Sequence, residues 1–536
     1  MKCFAAFIIF FSFSLHAETE AFGAPGAKPN WAPASKTHIG TAFSSGTKSP
    51  VWFTSAEGIL TEVYYPTVDK AQIKDSQILV TDGKSFLAQE KRITHKTEVI
   101  SPAEAHLINS DVQNRYSITH NYFTDPSAAV LYDEVTINAN VDGLSFYLLT
   151  NPHINNSGYS DSARVEGDGF VISENQLQLA ITSSVGFKNR SVGFVGSSDG
   201  FQDLSNNFKL DYKFTTATNG NTATTGELNI PTQAGIYKIV LAYSFKGMNP
   251  FKKQKMLDVE NIRKSYFDGW STYLNQLKVP SNLSYQEKML YLRSLFTLKC
   301  HEDKAQPGAI IASISIPWGE SQFDSPGVEI GGYHLIWPRD LYNIASSLLF
   351  AGDTTTALNA LRFMKKIQFH KNDGYWNFYP RVFSKDGSFP QNVWVNGKTY
   401  WEGFQIDQTG YPVLLFYHIF LRANASEKLQ LMNEFGPMVV DALNFIAKNG
   451  PWTQEERWEE NFGISPSSFS AATAALFTGA RLFDDEYGQY LNSTAMSWLT
   501  KPYDNIDTWT FTSNGFYGDG QYYLRIAGGD RFDVIW

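Results

Sequence analysis

Cysteine is almost missing from this sequence. Cys3 lies in an apolar leader and Cys300 is the only other one. A disulfide within the mature chain and a cysteine-based zinc site are therefore both excluded, and stability has to come from core packing. Clustered positive charge is lacking as well: 53 acidic residues outnumber 44 Lys and Arg, for a net charge of −9. Nucleic acid calls for concentrated Lys and Arg to neutralise phosphates, so no nucleic-acid partner is expected and a neutral one fits better. Beyond the leader, no apolar run approaches the ~20 residues that a spanning helix needs, so no membrane contact is expected once the leader is removed. There is no Walker-type glycine-rich loop, no HExxH helix, and no repeat of blade or solenoid type.

The leader itself, MKCFAAFIIFFSFSLHA, places one Lys before an apolar run from Phe4 to Phe13 and ends on the small residue Ala17. That order predicts a secretory signal over residues 1–17 and an exported protein, periplasmic or secreted. What the sequence holds in excess is aromatic: 13 Trp, 27 Tyr and 40 Phe in 536 residues. Such rings fill cores and also make flat platforms on which sugar rings stack. The length exceeds one ordinary domain, so more than one core is expected.

The chain divides by periodicity. DEVTINANV alternates at Val135, Ile137 and Ala139, and LSFYLLT at Leu144, Phe146 and Leu148; GIYKIVLAYSF repeats the signal at Ile236 to Phe245. Turn-forming clusters such as NNSGYSDS separate these runs, which predicts an antiparallel β-sandwich over residues 22–250. KMLDVENIRKSYFDGWSTYLNQL reads as one helix connecting two domains, within residues 251–282. From 283 to 536 the period is close to 3.6, with long aromatic-rich loops at 303–336 and 372–403. Loops of that length in a compact domain are usually functional.

Two short patterns carry no chemistry on this reading. GSSDG at Gly196 to Gly200 matches the nucleophile elbow, which needs a helix after it; the polar stretch that follows reads as strand, so an ordinary turn is expected. His301, Glu302 and Asp303 are adjacent on a helix pattern, where neighbouring side chains diverge, so surface charge is expected.

Two segments remain. In GGYHLIWPRDLYN, residues 331–343, Pro338 suits a first helical turn, so Arg339 and Asp340 sit at a helix start. They can grip sugar hydroxyls, the Arg donating and the Asp accepting; the Asp equally suits the helix dipole. TQEERWEENFGISPSS, residues 453–468, sets Glu455, Glu456, Glu459 and Glu460 around Arg457 and Trp458. A carboxylate run can be a solvated face. It also suits glycoside cleavage, which needs an acid that stays protonated near neutral pH; a neighbouring carboxylate and an aromatic wall both favour that.

These two segments, with YWEGFQIDQTGYP at 400–412 between them, resemble family-15 glycoside hydrolases in content and order, nearest to the bacterial glucoamylases and glucodextranases. The start of the mature chain, APGAKPNWAPASKTHIGTAFSSGTKSPVWFT with GILTEVYYP after it, resembles their N-terminal domain. The resemblance implies a β-sandwich joined by a linker helix to an (α/α)6 barrel, and hydrolysis with inversion at the ends of α-glucan oligosaccharides or polysaccharides. It implies Glu459 as general acid, with Glu460 contacting substrate beside it. Tyr333, Trp337, Arg339 and Asp340 would line the terminal glucose site. Trp401 corresponds to the tryptophan that braces the acid, Trp458 flanks the next sugar with Arg457 beside it, and Gln405 and Asp407 belong to the same wall. Linkage stays open among α-1,4, α-1,6 and α,α-1,1. No cofactor is implied; some relatives carry calcium, but no ligand-spaced acidic loop marks a site here.

The departures lie at the end. The family's general base sits in a W-x-H-A-E type motif, which these residues lack, and AGGDRFDVIW leaves the family pattern. About 250 residues supply roughly eight helices where the barrel needs twelve. The expectation is an incomplete barrel from a truncated or frameshifted gene, weakly active or reduced to a carbohydrate-binding remnant.

Overall fold

The computed structural model describes residues 19–43, 49–245, 256–317, 322–327, 329–378 and 381–527. The predicted signal over residues 1–17 and the tail beyond residue 527, expected to leave the family pattern, lie outside them.

Strands between His38 and Phe245 form two antiparallel sheets, one of eight strands and one of nine. Val130–Ala139 runs inside the larger sheet between Tyr116–Thr124 and Gly235–Phe245. A strand's side chains alternate between faces, and Val135, Ile137 and Ala139 accordingly meet Leu144, Phe146 and Leu148 in one buried core. In Gly235–Phe245 the odd positions Ile239, Leu241, Tyr243 and Phe245 join that core, while Ile236 is exposed.

The GSSDG segment leads into helix α1, Gly200–Asn207, rather than into another strand. Asp199 decides this: its carboxylate accepts from the Phe201 and Gln202 N–H groups and caps the helix. Ser198 is fully buried, donating to the Phe22 carbonyl and accepting from the Phe194 N–H, so it presents no nucleophile.

Helix α2, Met256–Asn275, connects the sandwich to the helices that follow. These are α3 (Tyr285–Cys300), α4 (Pro338–Phe350), α5 (Thr354–Ile367), α6 (Ile406–Arg422), α7 (Ala425–Asn449), α8 (Pro466–Leu482), α9 (Glu486–Thr500) and α10 (Ile506–Thr510). Helices α4, α6 and α8 pack side by side, and α5, α7 and α9 pack outside them, the inner–outer alternation of an (α/α) barrel. No described helix is long and apolar enough to cross a membrane.

One apolar cluster runs from Trp31, Trp52 and Tyr64 of the sandwich through Trp270 and Phe296 to Phe435 and Leu476 of the helices. Polar groups reinforce the junction. The Trp270 indole donates to the Thr41 carbonyl at 2.7 Å. Carboxylates on either side cap backbone N–H groups on the other: Asp69 takes Val395, Glu62 takes Ile316, and Asp324 takes Gly158 together with the Trp31 indole. Residues 316, 324 and 395 all belong to the two long loops, so the sandwich helps set the shape of those loops.

The His301–Asp303 cluster is another correction, since His301 and Asp303 are buried rather than exposed. Helix α3 ends at Cys300 and the chain turns under the sandwich, where Asp303 accepts from the N–H groups of Val68, Ala305 and Gln306. Burial pushes its carboxyl up to about 6, against those hydrogen bonds. Between about pH 4 and pH 6 the folded chain therefore keeps a proton that the unfolded chain has released, and stability falls as pH rises through this window. Asp303→Asn removes the titration. The stability advantage of the natural chain over this variant is expected to shrink by roughly 2–3 kcal/mol between pH 4 and pH 6 and then level off. Urea unfolding of both chains across that range checks it; a difference that does not change with pH would refute it.

Candidate active site

The three inner helices begin at the same end of the barrel, and the segments singled out in the sequence lie at those beginnings. Trp337 is the N-cap of α4 with Pro338 in its first turn, Gln405 is the N-cap of α6, and the glutamate run leads into α8 through Ser465. Proline fits a first turn because its missing N–H has no partner there to lose. Asp340 and Asp407 sit in first turns, where the positive end of the helix dipole favours a carboxylate.

Arg339 ties the three starts together. Its Nη1 donates to Gln405 Oε1 at 2.8 Å and to Asp407 Oδ2 at 3.3 Å, its Nη2 lies 3.9 Å from Glu459 Oε1, and its Nε lies 3.7 Å from Asp340 Oδ2. Gln405 Oε1 also accepts from Gln408 Nε2 at 2.9 Å, and Gln408 Oε1 accepts from the Arg339 N–H at 2.8 Å. Gln405 Nε2 then faces Glu459 and donates to its Oε1 at 3.0 Å.

Glu459 Oε1 takes a second donor, the Trp337 indole N–H, at 2.6 Å. Trp337 thus grips the acid, and Trp401 packs edge-on against Trp337 with centroids 6.4 Å apart. Trp337, expected to line the glucose site, therefore also donates directly to the acid. Behind the pair, Tyr400 meets both Trp401 and Trp394, and Lys70 of the sandwich lies 4.6 Å from the Trp394 ring centre. His334, buried against Trp394, is pushed down to about 3 by burial and by Lys70, so it is neutral and uncharged in this wall.

Gln405 and Asp407 are fully buried, which removes them from direct contact with substrate. Both support Arg339 from beneath, and that is a correction to their reading as substrate contacts. Tyr333 and Trp458 are exposed at the mouth; the Arg457 guanidinium lies 5.2 Å from the Trp458 ring centre. Asp340 is partly open, and burial together with the Glu459 and Asp407 charges raises its carboxyl against the pull of Arg339. Glu460, largely exposed, pairs with Arg525 at 2.6 Å.

Three participants escape a reading by spacing. Gln408 is buried and orients Gln405. Glu455, half-buried, is raised by desolvation and by the neighbouring Glu459 and Glu456 charges, with Gln405 opposing. Glu456 is fully buried and accepts Arg525 at 2.5 Å from 69 residues further along the chain. A separation of that length leaves no periodic signal. Only the position of Glu456 within the glutamate run hinted that one of the four carboxylates is structural.

The chain matches the family described as Glucodextranase, domain N, over residues 21–275, and Glycosyl hydrolases family 15 over residues 286–535. It is 34% identical over 531 residues to a glucoamylase of Clostridium sp. (strain G0005), a match that spans 95% of this chain and 69% of that one. A bacterial glucoamylase whose crystal structure was solved with acarbose superposes with a TM-score of 0.81 at 32% identity, over 95% of this chain and 72% of the other.

Proposed function

The chain belongs to glycosyl hydrolase family 15, a family of glycoside hydrolases, and on that premise we propose that it acts as an exo-acting, inverting glucoamylase releasing glucose from the non-reducing ends of α-glucans. The observation that carries this is the carboxylate of Glu459, gripped on one oxygen beside the Arg339–Asp340 pair.

Inversion requires one carboxyl to protonate the leaving oxygen while another activates water on the opposite face of the sugar. With Oε1 of Glu459 occupied by the Trp337 and Gln405 N–H groups, the proton to be transferred belongs on Oε2. Arg339 donates to hydroxyls of the terminal glucose and Asp340 accepts from them. Tyr333 and Trp401 offer faces for the ring, and Trp458, with Arg457 and Glu460, borders the sugar that leaves. The aromatic wall also keeps water away from the acid, which strengthens each of these polar contacts.

The water-activating half is a separate matter. The 536 residues contain no W-x-H-A-E motif.

Proton NMR of maltoheptaose during hydrolysis tests the reaction class. The β-anomer of glucose is expected first, with maltohexaose as its partner product. Initial α-glucose would exclude inversion, and mid-chain products would exclude exo-action.

A further inference from the structure

Glu459 adopts a left-handed backbone with φ of +64°. An L side chain keeps that conformation only where its surroundings impose it. Its own side-chain contacts run to Trp337 and Gln405 on other segments and do not set its φ, so the constraint has to come from the loop that carries it.

That loop is wound around one residue. The Glu456 carbonyl accepts the Glu459 N–H at 2.7 Å and the Glu456 N–H donates to the Asn461 carbonyl at 2.9 Å. Its carboxylate accepts the Trp458 N–H at 2.7 Å on Oε2 and the Glu460 N–H at 3.4 Å on Oε1. A buried carboxylate needs a counter-charge, and Arg525 supplies it, its Nη2 reaching Glu456 Oε1 at 2.5 Å and Glu460 Oε2 at 2.6 Å. Arg525 is itself held: Leu524 donates to the Thr510 carbonyl at 2.7 Å, and Ile464 and Ala527 exchange both backbone hydrogen bonds at 2.7 and 2.9 Å. The segment after α10 is thereby fastened to both ends of the acid loop.

We propose that Glu456 and Arg525 are a positioning pair that holds the loop 456–461 in the shape that keeps Glu459 aimed at the leaving oxygen. This rests on the reading of Glu459 as the general acid. Glu456 is fully buried, so it acts through the loop and not on the sugar. Arg525 bridges Glu456 and Glu460 across the turn that presents the acid, so removing it frees both flanks of Glu459 together.

The test compares two substrates. Maltotriose needs its leaving oxygen protonated, whereas α-glucosyl fluoride loses fluoride without help from an acid. In Arg525→Ala, kcat on maltotriose is expected to fall about tenfold or more, within the range of acid catalysis. KM should be little changed, and kcat on α-glucosyl fluoride should hold within about threefold. Arg525→Lys should regain part of the loss. Glu456→Gln keeps one acceptor oxygen, which can hold the close Trp458 N–H contact, but removes the charge that Arg525 meets; it should follow the same pattern, so it carries the comparison if Arg525→Ala does not fold. Equal losses on both substrates, or no loss on maltotriose, overturn the proposal. Glu459→Gln is measured alongside: if it is unimpaired on maltotriose the reading of Glu459 itself fails, whereas an impaired Glu459→Gln with an unimpaired Arg525→Ala removes the pair alone.

Discussion

Glucose release from maltotriose by the Glu459→Gln chain is expected to fall by about 10²–10⁴-fold, the usual worth of a positioned general acid. The substitution is close to isosteric. An amide oxygen at the Oε1 position still accepts from the Trp337 indole and from Gln405 Nε2, which lie at 2.6 and 3.0 Å in the natural chain. The loop and the wall therefore have no reason to move, and what is lost is the proton on Oε2. Such a change lowers kcat and leaves KM nearly unchanged, because the interaction removed forms only as the glycosidic bond breaks. On α-glucosyl fluoride the loss should be below tenfold. The ratio of the two losses is taken on one polypeptide, so it is independent of how slowly that polypeptide turns over. If KM rises and kcat holds, Glu459 is a binding group, and the acid must be sought in Glu455, whose carboxyl burial raises.

The second large effect concerns stability. Arg339→Ala should lower unfolding free energy by about 3–5 kcal/mol, because it breaks a buried ion pair by removing one partner. Asp407 is fully buried 3.3 Å from the Arg339 Nη1, so truncation either strands its charge or forces it to take up a proton. Gln405 Oε1 loses a donor in the same step, and the amide that steadies Glu459 is freed to turn. Asp407→Asn added to Arg339→Ala should recover part of the lost stability, since the uncompensated charge is then gone, but should not recover affinity for acarbose. Chemical denaturation of the two single variants and the double variant closes the cycle. Independent, additive effects would show that the pair is not coupled, and an affinity regained in the double variant would show that Arg339 does not touch sugar.

Much of this architecture can be read along the chain. Twofold alternation at Val135, Ile137 and Ala139 marks a strand half-covered by a core, and those residues lie in the sandwich interior. The 3.6-residue period locates α4 to α9 because each must bury one face against its neighbours. The motif at 331–343 announces a helix start through Pro338, and the start falls there. Where reading failed, the cause was contact over distance. His301 and Asp303 look like solvated charge until the sandwich folds over them, and the turn at Gly196 to Gly200 is followed by a helix because Asp199 caps it in place.

For the site the division is sharper. By itself the sequence determined which residues are gathered, since the beginnings of α4 and α6 and the approach to α8 carry their functional side chains in contiguous motifs. The tertiary structure alone decided what each of them does. Of four glutamates in one run, it buries Glu456 under Arg525, leaves Glu460 exposed, and puts Glu459 against Trp337. It gives Glu459 a hydrogen bond from Trp337, and it moves Gln405 and Asp407 from the sugar face to the support of Arg339. The physical reason is that burial and hydrogen-bond partners, which set whether a carboxyl is charged, shared or free to give up a proton, come from segments some 50 to 120 residues away. Spacing along a chain does not encode them.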